Sequence, residues 1–517
     1  MHRNEFAAFN DSGEHDPKMK SRLLWKSMLS AGAMFLAFSI HTTLAADYTW
    51  NSSVAATWTA AGAWSPSTPS GVASAIDLVT PTAFGSLEVN ANHEVNSLTY
   101  NSGSSWILVA NGGAPVTLTI DGTLSKSGTG TLTFESVSAA SNSQLLLSIG
   151  QISLSAGTIA FGIDNSTTPA QQVTVTGTTT ISGGSLTVNS PNATFGEVDM
   201  TGGTFAVLQG AAGTSSVPNV GGATVAGLSG TGGSVLAASA NSRYIQGTLT
   251  IATQSGTNFT YGGQIIDRGS ANTGGAITLS VVKTGTGTQT LSGTNTYTGA
   301  TTVNAGTLLI NGSLAAGSAV GVVANTTGNA VLGGIGTING AVSVGGGSGT
   351  GSSIVAPGTD GTIGTLSAAG GLSFVTGAAA PILKLDINTS LIATAGGTVF
   401  ASGSLADLLA VTGTLSLGSG TTILTLNDLG SGTLASGDVI VLATAGLLTG
   451  TFSGYADNSV IMLGNNSYQL NYGSLSGYSN DVTLDVLAVP EPSAWALGLL
   501  GIGFLLVWRR SRPLQNA

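Results

Sequence analysis

Residues able to do acid–base or nucleophilic chemistry are scarce in this chain of 517 residues. Cysteine is absent, which removes thiolate nucleophiles, thiolate metal sites and disulfides. Of four histidines, only His93 lies between residues 47 and 488. Zinc sites of His-Cys type and the paired histidines of metalloproteases are therefore excluded. A Ser-His-Asp triad has to be built on His93, and no nucleophile elbow surrounds it. His93 is expected to be an ordinary polar residue.

Paired carboxylates are the next option, because glycoside hydrolysis needs two acids at a set separation. Glu197 and Asp199 share a strand face by period two, and Asp481 and Asp485 do likewise. Neither pair has a basic or histidine partner nearby in sequence, so both read as solvated stripes. Gly345-Gly346-Gly347-Ser348-Gly349 lacks the aspartate of calcium-binding glycine-rich loops. No catalytic residue, cofactor or metal ligand is expected. Trp50, Trp58 and Trp64 have two readings: stacking on sugar rings, or plugging the open end of a first coil. The second is preferred, since terminal repeats must close the core.

The elements that hold these residues are short strands. Val116-Thr117-Leu118-Thr119-Ile120, Val173-Thr174-Val175-Thr176 and Ala341-Val342-Ser343-Val344 alternate apolar with polar, as half-buried strands do. Glycine is 77 residues and charged residues only 7%, yet 42% are hydrophobic, too many for a disordered chain. A Gly-Thr-aliphatic tripeptide recurs, at glycines 122, 130, 157, 247, 306, 336, 364 and 413. Glycine is expected to turn a corner at an unusual φ, with threonine outward and the aliphatic inward. The fold class that follows is all-β, a right-handed parallel β-helix, with a β-sandwich array as the alternative. Its predicted parts are an N-terminal capping region over 46–110, the β-helix over 111–404 and a closing β cap over 405–488.

The charges mark both ends. Of 13 Lys and Arg, only five fall between residues 47 and 488, against 18 acids there, a net charge of about −13. Nucleic acid is disfavoured as a partner, since phosphate binding requires Lys and Arg. Lys18, Lys20, Arg22 and Lys26 precede a short apolar run over 28–40. Small residues then allow cleavage after Ala45, or after Ala46. That is the layout of a secretory signal helix over 1–45, implying the Sec translocon and signal peptidase as partners. An uncleaved anchor is the alternative, but the run is short for a bilayer span. Met19 opens a more usual signal than Met1, so residues 1–18 are open to being an overextended start.

At the other end, Pro490-Glu491-Pro492 interrupts any strand or helix. A predicted transmembrane helix over 494–508 follows, with Trp495 and Trp508 near its ends. Arg509, Arg510 and Arg512 then hold that end in the cytoplasm. The motif, apolar run and basic cluster over 489–517 resemble the PEP-CTERM sorting signal of Gram-negative bacteria. The resemblance implies an exosortase-type processing enzyme that cuts near the Pro-Glu-Pro. The precursor would then sit in the inner membrane, and the mature form at the cell surface or outside the cell.

Residues 281–314 form the best-defined internal unit. They contain Val282-Lys283-Thr284-Gly285-Thr286-Gly287, then Leu291-Ser292-Gly293-Thr294-Asn295-Thr296-Tyr297-Thr298-Gly299, then Gly306-Thr307-Leu308-Leu309-Ile310. The unit resembles the autotransporter-associated β-strand repeat of passenger-like surface proteins. Residues 126–132 read as a degenerate first copy. A self-translocating autotransporter is disfavoured, because a single apolar segment stands where a membrane barrel would be needed. The expectation is a non-catalytic surface or matrix protein, structural or adhesive, with exopolysaccharide or glycan as a partner. A polysaccharide-active β-helix enzyme is the alternative.

Overall fold

The computed structural model describes residues 47–50, 56–58, 64–65, 75–77, 85–110, 114–136, 144–162, 171–190, 192–208, 222–238, 246–268, 278–359, 361–391, 398–400, 405–473 and 477–488. The chain divides into two units, Met1–Ala45 and Ala46–Ala517, and all described residues belong to the second. The signal helix and the helix over 494–508 lie outside the described residues. Among those described, no helix is long and apolar enough to cross a membrane.

The described chain is almost wholly β, with one short 3-10 turn at Thr389–Leu391. Its strands pair in parallel with the strand one coil away. Val281 pairs with Thr301, Thr301 with Val320, and Val320 with Val342, so successive partners are 20, 19 and 22 residues apart. Thr288, Thr307, Val331 and Ile354 form a second such series, and Ser313 and Thr337 belong to a third. Three strands per coil, each stacked on its own kind, make a solenoid. The face-to-face antiparallel sheets of a β-sandwich are not what these ladders build. The ladders cross position 110: Gly85–Val89 pairs in parallel with Trp106–Ala110, which pairs with Thr131–Ser136. They also cross 404, where Leu372 pairs with Leu415 and Ile382 with Ile423. Antiparallel pairing then takes over. Val439–Thr444 pairs with Val482–Val486, that with Asn466–Tyr472, and that with Ser459–Leu463.

Alternation puts the core inside the coil. One inward column runs Leu118, Leu147, Val173, Ala193, Ala223, Leu249 and Val281, all nearly or fully buried. On another ladder aromatics meet across coils inside the core, Phe134 and Phe161 with ring centroids 5.5 Å apart and tilted rings. The outward column adjacent to the first is mostly hydroxyl: Thr119, Ser148, Thr174, Thr194, Thr224 and Thr250, then Thr302, Ser343, Ser373, Ser416 and Thr449.

At all eight Gly-Thr-aliphatic sites the threonine faces out and the aliphatic is buried. The expected role of the glycine is corrected. Only Gly157 and Gly306, both at φ 68, adopt the left-handed region. At Gly336 the backbone is ordinary, but a Cβ would collide with the carbonyl of Gly312 in the preceding coil. There, glycine serves close stacking rather than an unusual φ.

Candidate functional site

The internal unit at 281–310 gathers most of the buried polar groups of its coils. Thr278–Thr284 places Lys283 on the inward face, between Ile251 and Val303 of the flanking coils. Burying a charge requires partners, and this ammonium donates to the carbonyls of Thr284 (2.8 Å), Gly285 (3.0 Å) and Ala305 (3.2 Å). Burial lowers its pKa from the usual lysine range to about 8. Gly306 completes the corner, because a Cβ there would meet the Gly285 and Gly287 carbonyls and the lysine itself.

The Ser-Gly-Thr-Asn-Thr-Tyr stretch is similarly spent on its own backbone. Asn295 Oδ1 accepts from Ile265 N–H (3.0 Å), and its Nδ2 donates to Gly293 and Ser313 carbonyls. Tyr297 is fully buried, its hydroxyl 2.6 Å from Thr301 Oγ1, which lies 3.1 Å from Ser318 Oγ. Burial pushes that phenol up to about 12. Asp267 accepts from Leu279 N–H (2.8 Å) and from Thr298 N–H (2.9 Å) and hydroxyl (2.6 Å). Asn295 and Asp267 staple neighbouring coils, Tyr297 does so through Thr301 and Ser318, and Asn295 and Tyr297 are buried while Asp267 is partly exposed.

Lys126 repeats the arrangement. Its ammonium donates to Gly128 and Ala156 carbonyls and lies 5.2 Å from the Tyr100 ring centroid. Gly157 stands where Gly306 stands, crowded by the carbonyls of Gly128 and Gly130. The degenerate copy expected at 126–132 is therefore a second corner of the same build.

The acid and histidine candidates are not brought together. His93 stacks on buried Trp58, ring centroids 4.4 Å apart, and burial lowers its pKa. Glu197 and Asp199 do share the outward face, flanked by buried Val198 and Met200. Ser229 donates its hydroxyl to Glu197. Asp481 accepts from Ala445 N–H at 3.4 Å, and burial raises the pKa of both Asp481 and Asp485. Trp50 and Trp64 pair through their backbones, and Trp58 is buried in the core cluster. Among the described residues, no group of three or more His, Cys, Asp or Glu could hold a metal ion. The sorting residues Ala45, Ala46, Pro490, Glu491, Pro492, Arg509, Arg510 and Arg512 lie outside the described residues.

One pair escapes sequence reasoning. Asp386 and Asp407 are each 2% exposed. Asp407 Oδ1 accepts from Gly364 N–H (2.8 Å) and Oδ2 from Asp386 N–H (2.9 Å). Asp386 Oδ2 accepts from Gly361 N–H (2.8 Å), and Oδ1 from Asn427 Nδ2 (3.1 Å). Desolvation is the largest effect on Asp407 and lifts its pKa to about 7, against the pull of its two backbone donors. Alternation along Ile382–Ile387 points Asp386 outward, where Gly361 N–H and Asn427 Nδ2 meet its carboxylate. The sole signal was an acid inside an apolar stretch.

No curated protein matches the chain. Residues 281–310 match the passenger-associated-transport-repeat, four residues short of the unit delimited from the sequence. The chain thus carries that repeat within its coil and, over residues 488–512, a PEP-CTERM protein-sorting motif.

Proposed function

We propose that this chain is an exported, exosortase-sorted protein of the cell surface or extracellular matrix, with a structural or adhesive role and no chemistry of its own. The observation that carries the sorting is the PEP-CTERM match, which begins two residues after the last described strand, Val482–Val486. On this reading a signal peptide is removed at Ala45 or Ala46. Residues 494–508 hold the precursor in the inner membrane with Arg509, Arg510 and Arg512 inside, and the exosortase acts at Pro490-Glu491-Pro492. The body is a right-handed parallel β-helix. Its uncharged hydroxyl column offers an exopolysaccharide or glycan hydrogen bonds without charge.

A structural role is supported by how the distinctive residues are used. Lys283, Asn295, Tyr297 and Asp267 all spend their hydrogen bonds within the coil. The enzyme reading has one observation in its favour, the raised pKa of Asp407, since perturbed carboxyls cluster at active sites. Both oxygens of that carboxyl are bound to backbone N–H groups and the residue is buried, which leaves no access for substrate.

Cell fractionation with mass spectrometry of both mature termini tests the sorting. The expected product begins at residue 46 or 47 and ends near the Pro-Glu-Pro. Extracellular material that retains Arg512, or a chain held in the cytoplasm, would overturn it. A glycan array probed with the purified protein tests the ligand.

A further inference from the structure

The exposed large apolar side chains of the described body mostly come one to a strand, which is ordinary for a protein surface. Val460 and Met462 do not. They are 58% and 72% exposed, and they share one face of Ser459–Leu463 by period two, while Ile461 between them points inward. That strand is the last of its sheet, with Asn466–Tyr472 as its one neighbour among the described strands. Leu429, 37% exposed, belongs to the same end, because Asn465 and Asn466 at the hairpin tip donate to Ser431 and Gly432 carbonyls, both at 2.9 Å.

The chain leaves the body at this end. Met462 pairs with Ser467, and Ser467 accepts from Leu487 N–H at 2.8 Å. Met462 is thus two strand spacings, about 10 Å, from Leu487. Residues 488–493 alone separate Leu487 from the apolar run, and so short a stretch spans at most about 25 Å. No Lys or Arg occurs from residue 385 to residue 508. Lys384, in register with Thr425, is the one basic residue on the described strands adjoining this end, so attraction to lipid phosphates is weak here and apolar contact is the stronger means.

We infer that Val460 and Met462 rest on the lipid bilayer surface while the chain is still anchored, and leave it when the sorting motif is cut. The inference rests on the anchoring proposed for residues 494–508. Cutting removes the short tether, and two side chains bury too little apolar area to hold the body on lipid alone. The seat therefore orients the last coils at the membrane, beside the segment to be processed.

The chain has no native cysteine, so Met462→Cys accepts a single environment-sensitive fluorophore. Thr174→Cys, on the exposed hydroxyl column, is the control. The full-length chain is reconstituted in phosphatidylcholine vesicles and floated. Lipid-borne spin labels are expected to quench the label at 462 at least threefold more than the label at 174, unchanged by 0.5 M salt. Aqueous iodide is expected to show the reverse order. Flotation with equal iodide quenching at both positions would overturn the seat and leave the anchor standing. Quenching at 462 that scales with protein density would make a second copy the occupant and also overturn it. A chain that fails to float would overturn anchor and seat together.

Discussion

Lys126 and Lys283 hold the same corner of two different coils, each with its ammonium on the carbonyl of an alanine one coil onward, Ala156 and Ala305. The alanine is followed each time by a glycine at φ 68. Two distant segments have the same buried cation for the same reason. The corner turns three carbonyls toward Lys283 and two toward Lys126, and an ammonium has three donors to meet them.

Replacing Lys283 by Met keeps the stem and removes the donors. It strands buried carbonyls, and the expected loss is about 1–3 kcal/mol, read as a lower urea midpoint. The pH dependence has a definite sign. With a folded pKa near 8 and an unfolded value near 10.4, the unfolded chain binds more protons between those values. Stability contributed at this site therefore rises from about pH 8 to about pH 10. Wild type should show that rise and Lys283→Met should show less of it.

Gly306→Ala and Gly256→Ala separate strain from crowding. Both glycines have positive φ, 68 and 78, but a Cβ at Gly256 meets nothing within 4 Å. The Gly256 variant should lose about 1 kcal/mol, from backbone strain alone. The Gly306 variant should lose clearly more, by thermal melting, because its Cβ also strikes two carbonyls. Equal losses would remove crowding from the explanation.

Asp407→Asn tests the buried carboxyl pair. The folded pKa is raised to about 7 and the unfolded value is near 3.9. The folded chain thus holds the extra proton, so stability is fullest below about pH 4 and declines as pH rises through 7. Asp481 and Asp485 act in the same direction. The variant should flatten this slope without abolishing it, as measured by urea midpoints from pH 4.5 to 8. A steeper slope in the variant would contradict the assignment.

Asp199→Ala is the test of the enzyme alternative. The residue is partly exposed and its neighbour Glu197 accepts from Ser229. Wild type and variant are expected to be equally inert on soluble polysaccharides, by reducing-end assay. Hydrolysis lost on this substitution would restore an enzymatic reading.

Much of the fold was written in the alternation of apolar with polar residues. Where both neighbours of a strand are other coils, period two alone decides which side faces in, and Thr307 and Leu308 obey it. Lys283 obeys it as well, although a buried lysine is chemically unexpected. Asp386 does not, because a loop more than twenty residues earlier supplies a donor to it through Gly361. Glycine was misread for a related reason. Its crowding at Gly336 comes from Gly312, and a coil-to-coil contact leaves no mark in the local sequence. The sorting motif was legible because it works as a linear signal, needing only order and spacing.

The outward column from Thr119 to Thr449 has a consequence for how such a chain changes length. Each coil adds one strand spacing, about 4.8 Å, to the column. A coil contacts mainly the coil before and the coil after. Whole coils can be gained or lost between the Trp58 end and the closing hairpin while both ends stay as they are. The distance over which the hydroxyl face reaches from its anchored end is then a matter of counting coils.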